Sequence, residues 1–182
     1  YARTYPMDLR PQAHDIIRTW LFSTAVRSHF EADAAPWGHC ALSGWILDPD
    51  RKKMSKSKGN VVTPVDLLDQ HGSDAVRYWA ANGRPGTDTA FDDGQMKIGR
   101  RLAIKMLNAS RFALGFGADG DTPLAIDPAA ITHPLDRAML LRLADLVSEA
   151  TRAFDGFDYA RALERTETWF WTFTDDHVEL VK

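Results

Sequence analysis

From Tyr5 to Leu47 the chain runs through a strand-like segment, a helical stripe and a second strand-like run. That order constrains the fold more than any other feature. The first segment is Tyr5-Pro6-Met7-Asp8-Leu9-Arg10. From Asp15 to Phe30, Ile16, Ile17, Trp20, Leu21, Ala25 and Val26 recur with helical spacing and predict an amphipathic helix. Asp15 stands near its start, where the backbone dipole favours a carboxylate. Pro36-Trp37-Gly38 interrupts the pattern, and Cys40–Leu47 is an apolar run of strand length. A strand, a helix and a strand in so short a span predict parallel neighbours joined by a right-handed crossover. In such sheets ligands gather beyond the carboxyl ends of the strands. The loop Arg10-Pro11-Gln12-Ala13-His14-Asp15 and the loop after Leu47 are therefore expected on one functional edge.

The remaining chain reads as helices. Asp48-Pro49-Asp50-Arg51 forms a turn, with proline at its favoured early position. Thr63-Pro64-Val65-Asp66 has the composition of a helix start, and His71-Gly72 ends that helix. Ser73-Asp74 opens the next helix, and Asn82-Gly83 stops it. A long helix is predicted from about Gly94 to Leu114, ending at Gly115 or Gly117. A polar connection over 117–130 follows. His133-Pro134 begins another helix, with Met139, Leu143, Leu146, Val147 and Phe154 on its apolar stripe and Gly156 at its end. A last helix starts near Asp158. The strand-bearing part thus covers roughly residues 1–83, and three long helices follow as part of a bundle.

Composition removes several classes. The 182 residues are 45% hydrophobic, enough to build a core, and the net charge is −3, so bulk positive charge does not recruit nucleic acid. Cys40 is the single cysteine, which excludes an internal disulfide and a cysteine-rich zinc site and favours an intracellular location. No apolar run has the length of a membrane span. A chain that opens on Tyr1 and stops at Lys182 within a helical pattern is expected to be a piece of a longer protein.

One stretch concentrates the charge. Arg51–Asn60 reads RKKMSKSKGN. Lysines on the functional edge stabilise charge on a polyphosphate. Ser55 and Ser57 keep the loop slim and donate hydrogen bonds. Gly59 admits conformations other residues resist. It is not a Walker A loop, which needs Gly-x-x-x-x-Gly-Lys-Ser/Thr. By charge alone it fits a solvated basic loop equally well.

Lys53-Met54-Ser55-Lys56-Ser57 is, however, a full KMSKS signature. Gly44-Trp45-Ile46-Leu47 precedes it, Gly59-Asn60 follows it, and Asp74-Ala75-Val76-Arg77 lies beyond. In these features the chain resembles the class I aminoacyl-tRNA synthetases. Within that class DLRPQAHDIIRTWLF, SGWILDPDRKKMSKSKGNVVTP, GRPGTDTAFD, LNASRF and TETWFWTFTDDHVELVK resemble the valine-specific branch. The isoleucine-specific branch usually has Asp-Gln-His where this chain has Asp15-Ile16-Ile17.

The resemblance implies an α/β plus all-α fold. Residues 1–92 would be the C-terminal part of a Rossmann-like catalytic domain, and residues 93–182 the start of a helical anticodon-binding domain. It implies ATP, with Mg²⁺ accompanying it, L-valine and tRNA(Val) as partners, a cytoplasmic location and a monomer. Lys53 and Lys56 would act in catalysis at the ATP phosphates, Lys56 on the leaving pyrophosphate. Ser55 and Ser57 would support the mobile loop. Gln12, Ala13 and Asp15 would meet the adenylate ribose, and the backbone around Ile46-Leu47 the adenine. The family's first signature, a His-Ile-Gly-His-like motif, is missing, so the piece alone is expected to be inactive. Two alternatives remain: a noncatalytic tRNA-binding module with a relic loop, or an isoleucyl or leucyl relative.

Other candidates have plainer readings. The six histidines lack metal-ligand spacing and read as structural. Asp92-Asp93 suits a helix N-terminus better than a paired carboxylate site. Trp169, Phe170, Trp171 and Phe173 read as core packing rather than base stacking. Arg100, Arg101, Lys105 and Arg111 fit a solvated helix face or a tRNA-phosphate surface.

Overall fold

The computed structural model describes residues 3–115 and 127–181. The polar connection expected over 117–130 lies largely outside them, as does Gly117. The described chain forms two compact units. One comprises residues 1–63 and 83–92, the other 64–82 and 93–182.

In the first unit, β1 (Met7–Ala13) pairs in parallel with β2 (Trp37–Ser43), from Met7 opposite Trp37 to Ala13 opposite Ser43. Continuous helix runs between them: a tight turn at His14–Ile16, a wide turn at Ile17–Leu21, then α1 (Phe22–Ala32). The expected parallel strand–helix–strand unit is present, with three changes. Residues 10–13, expected in the loop after the first strand, form its second half and pair with residues 40–43. Trp37 and Gly38 lie inside β2 rather than breaking the pattern. The run expected as one strand to Leu47 divides at Gly44-Trp45, and Ile46–Leu47 (β3) takes a new parallel partner, Thr89–Ala90 (β4).

The cause of the division is a close backbone approach. A Cβ on Gly44 would lie 2.2 Å from the Thr87 carbonyl oxygen, so this position admits no side chain as it stands. The incoming segment is tied on both sides of it. Gly86 N–H donates to Leu42 O at 2.8 Å, and Trp45 N–H donates to Asp88 Oδ1 at 2.7 Å.

The second unit is helical: α2 (Pro64–His71), α3 (Ser73–Ala81), α4 (Asp93–Leu114), α5 (Pro134–Asp155), α6 (Tyr159–Thr172) and, after a wide turn at Phe173–His177, α7 (Val178–Val181). Its buried apolar residues are Leu67, Ala75, Met96, Leu102, Ala153, Ala160 and Ala162. Gly99 lets α4 approach α3, because a Cβ there would fall 2.5 Å from Tyr78 Cβ. Tyr78 Oη donates to Glu167 Oε2 at 2.7 Å, and Trp171 Nε1 donates to Glu167 Oε1 at 3.2 Å. Burial, then the Glu167 hydrogen bond and charge, push the Tyr78 phenol up to about 12.

Helix ends fall close to expectation. Asp158 caps α6 by accepting from Arg161 N–H at 3.2 Å. The left-handed residue beyond α5 is Phe157 rather than Gly156. On the α5 stripe, Met139, Leu143 and Leu146 are half-buried, whereas Val147 and Phe154 are exposed. The aromatic cluster is half-buried, with Trp169 and Phe173 stacked at 5.2 Å, as core packing predicts. No described helix is long and apolar enough to cross a membrane.

Candidate functional site

Because β1 and β2 are parallel, Ala13 and Ser43 end side by side, and the segments that leave them share one edge. Gln12, next to that end, is buried, and its Oε1 meets no hydrogen-bond partner among the described atoms. An unpaired buried acceptor costs roughly 1–3 kcal/mol and calls for an unseen donor such as a water or a ligand hydroxyl. Ala13 is half-buried, and Asp15 is exposed on the first helical turn.

The basic stretch is a loop built on one carboxylate. Asp48, 6% exposed, accepts from Lys52 N–H at 2.8 Å and from Asn60 Nδ2 at 2.7 Å. The backbone closes the same turn, with Arg51 N–H donating to Asp48 O and Asp48 N–H donating to Lys52 O, both at 2.9 Å. Asn60 also accepts from Ser55 N–H at 2.9 Å and donates to Lys53 O at 3.3 Å. One amide therefore holds the first and third residues of the KMSKS sequence. The Asn60 hydrogen bond, then the Lys52 N–H, hold the Asp48 carboxyl below the usual aspartate value.

Within the loop, Lys56–Lys58 form a single tight turn, closed by Gly59 N–H on Lys56 O. Gly59 takes φ +67°, the left-handed region that glycine fills without strain. The hydroxyls of Ser55 and Ser57 are hydrogen-bonded to each other at 2.8 Å. Lys53 and Lys56 are both exposed. Four of the expected site residues, Lys53, Ser55, Lys56 and Ser57, thus lie in one braced loop.

Among the described residues, no hydrogen bond or ion pair joins Gln12, Ala13 or Asp15 directly to residues 51–60. The connection runs through Trp45, a residue that motif reading passed over. His14 packs against its indole at 4.7 Å between ring centroids, and His14 Nδ1 lies 3.1 Å from Ser43 O. The Lys53 ammonium lies over the same indole, 4.0 Å from its centroid. Asp48 and Asn60 were also missed as loop braces. Their signals were an Asp-Pro turn before the lysines and a Gly-Asn after them.

The carbonyls of Trp45 and Leu47 accept from Thr89 and Phe91 N–H at 2.9 and 2.8 Å. Alternate residues of a strand face opposite sides, so the backbone of Ile46 is the part directed away from β4.

Outside this edge, charged groups pair within the helical unit. His71 is buried, with Nε2 2.9 Å from Asp93 Oδ1, and Lys97 lies 2.6 Å from Asp93 Oδ2. The Lys97 hydrogen bond is the main cause holding Asp93 low. Three of the five cations on α4 are engaged within the protein: Lys97 with Asp93, Arg100 donating to His71 O at 2.9 Å, and Lys105 to Asp175 Oδ1 at 3.1 Å. Among the described residues no three His, Cys, Asp or Glu side chains group as a metal site.

Residues 1–92 match the family model described as tRNA synthetases class I (I, L, M and V), and the chain belongs to that family. Over its whole length it is 67% identical to the valine–tRNA ligase of Thermobifida fusca (strain YX) and 66% identical to that of Salinispora tropica. It is 56% identical to that of Bifidobacterium longum (strain DJO10A). The chain spans about a fifth of the length of these relatives, 20% of the first and 21% of the other two. In fold it is similar to LeuRS from Agrobacterium radiobacter K84 agnB2, solved as a ternary complex with tRNA and LeuAMS. The TM-score is 0.72 at 19% identity, covering 96% of this chain and 23% of that one.

Proposed function

We propose that this chain is the KMSKS-bearing part of a valine–tRNA ligase. The full-length protein activates valine with ATP and transfers it to tRNA(Val). The observation that carries this reading is similarity over the whole of this chain to about a fifth of the length of valine–tRNA ligases, at 67% identity to one of them. The braced loop after β3, with Lys53 over Trp45 and His14 packed on the same indole, supplies its chemical sense.

The valine carboxylate attacks the α-phosphate of ATP, and pyrophosphate leaves. The adenylate then passes its acyl group to the terminal ribose of tRNA. Positioning and charge stabilisation supply the rate, and no covalent enzyme intermediate is required. Lys56 stabilises charge on the pyrophosphate, and Lys53 contacts the phosphates beside it. Ser55 and Ser57 hold the loop's shape. Gln12, whose buried Oε1 lacks a partner, receives a ribose hydroxyl, with Ala13 and Asp15 alongside. The Ile46 backbone is the group suited to adenine. Mg²⁺ accompanies the triphosphate.

In this reading residues 1–92 complete a Rossmann-like catalytic domain and residues 93–182 begin the anticodon-binding domain. The end of the family match at residue 92 supports that boundary. The protein works in the cytoplasm as a monomer, and the piece alone does not activate valine. Amino-acid-dependent ATP–pyrophosphate exchange by the full-length protein tests the proposal. Exchange with valine well above that with isoleucine or leucine is expected. Equal or greater exchange with either of the others would assign the protein to that branch, and none with any would leave a tRNA-binding module.

A further inference from the structure

We propose that Trp45 is a positioning residue that holds Lys53 off the triphosphate until the nucleotide arrives. The Lys53 ammonium sits over the indole at 4.0 Å from the centroid, within the range in which a cation is attracted to the ring face. An ammonium on that face is not at a phosphate. Binding ATP through Lys53, the role proposed above and the reading on which this inference rests, therefore requires the contact to break.

Trp45 is held at its backbone and its ring is packed on one side. Its backbone N–H is held by Asp88 Oδ1 at 2.7 Å, the neighbouring Gly44 is fitted against Thr87, and His14 packs on the indole at 4.7 Å. His14 belongs to the segment leaving β1, and Lys53 to the loop after β3. One indole therefore joins the two loops of the proposed nucleotide edge. The loop end is fixed too: Lys53 forms a bridge with Leu47, and its carbonyl accepts from Asn60. With both backbones held, release of the ammonium is a side-chain movement that leaves the brace intact.

An exposed cation–ring contact shifts a two-state balance about two- to fivefold. Trp45→Leu should therefore tighten binding of a non-hydrolysable ATP analogue to the full-length protein about two- to fivefold. Trp45→Phe should stay near wild type, because a ring remains. The deciding measurement is a double-mutant cycle with Lys53→Met. Without the ammonium, Trp45→Leu should leave analogue affinity unchanged. If it alters affinity equally in both backgrounds, the indole acts only on the general shape of the site and the inference fails. If Lys53→Met itself leaves affinity unchanged, the phosphate role of Lys53 fails, and this inference with it. A second measurement needs no change at Trp45. In lysine-dimethylated full-length protein, the Lys53 methyl signal, identified by its loss in Lys53→Arg, should be ring-current shifted without nucleotide and return to its ordinary position with the analogue. A signal that is unshifted without nucleotide, or still shifted at saturation, overturns the proposal.

Discussion

Asn60→Ala removes three hydrogen bonds at once: from Ser55 N–H, to Lys53 O and to Asp48 Oδ2. The two bonds to backbone groups can be weighed. A neutral hydrogen bond contributes about 0.5–1.5 kcal/mol net, and the 3.3 Å bond to Lys53 O belongs at the low end. Together they stabilise the braced loop by about 1–2 kcal/mol, a factor of roughly 5–30 in its population. The loss is local, since every partner lies between residues 48 and 60. Amide hydrogen exchange on the full-length protein should show Ser55 N–H exchanging roughly 5–30 times faster in the variant, with melting temperature nearly unchanged. Valine-dependent ATP–pyrophosphate exchange should fall by a similar factor at unchanged KM for valine. Unchanged Ser55 exchange would refute the brace. Faster exchange with an unaltered reaction rate would refute its role in catalysis.

The same brace has a pH signature. Asp48 is held below the ordinary aspartate value, so its contribution is complete above that value and is lost as pH falls through the lowered one. Loop protection should persist from pH 8 to 5 and disappear only below the usual aspartate range, whereas Asn60→Ala should lose it at higher pH, because Asn60 is the largest cause of the shift. In the helical unit, Tyr78 favours the neutral phenol. Its contribution is whole below the ordinary value of 10.0 and is lost as pH rises toward about 12. Tyr78→Phe should remove that alkaline loss, seen by circular dichroism between those values, and cost about 1–2 kcal/mol at neutral pH for the bond to Glu167. Gly44→Ala should destabilise by about 3 kcal/mol or more in chemical denaturation, because the added Cβ meets fixed backbone. Gly99→Ala should also destabilise, by about 1–3 kcal/mol, because the added Cβ meets the Tyr78 Cβ, which is fixed to its backbone, and better helix propensity offsets only part of that.

Local signals foretold local structure. The apolar spacing from Ile16 to Val26 and the flanking strand-like runs led to the parallel pair, because period and chain order suffice for it. Thr63-Pro64, Gly72 and Asp158 marked helix ends for stereochemical reasons that act within a few residues. What depended on distant partners was hidden. An apolar run does not reveal that its backbone changes neighbours at Gly44, a switch set by Thr87 and Asp88. Chain order places 64–82 beside the strands, whereas packing groups them with α4–α6 through Gly99 and the Tyr78–Glu167 bond. At the candidate site the KMSKS letters drew attention to the lysines. The residues that shape the loop, Asp48 and Asn60, carry no charge pattern of their own, and Trp45 looked like one more strand aromatic.

The central claim is that the braced loop serves ATP-dependent valine activation and that Lys56 stabilises the departing pyrophosphate. Pre-steady-state formation of valyl-adenylate by full-length protein, wild type against Lys56→Ala, tests it most directly. A fall in the rate of adenylate formation on the order of 100-fold is expected, with valine affinity changed severalfold at most. Adenylate formation at the wild-type rate in Lys56→Ala would contradict it.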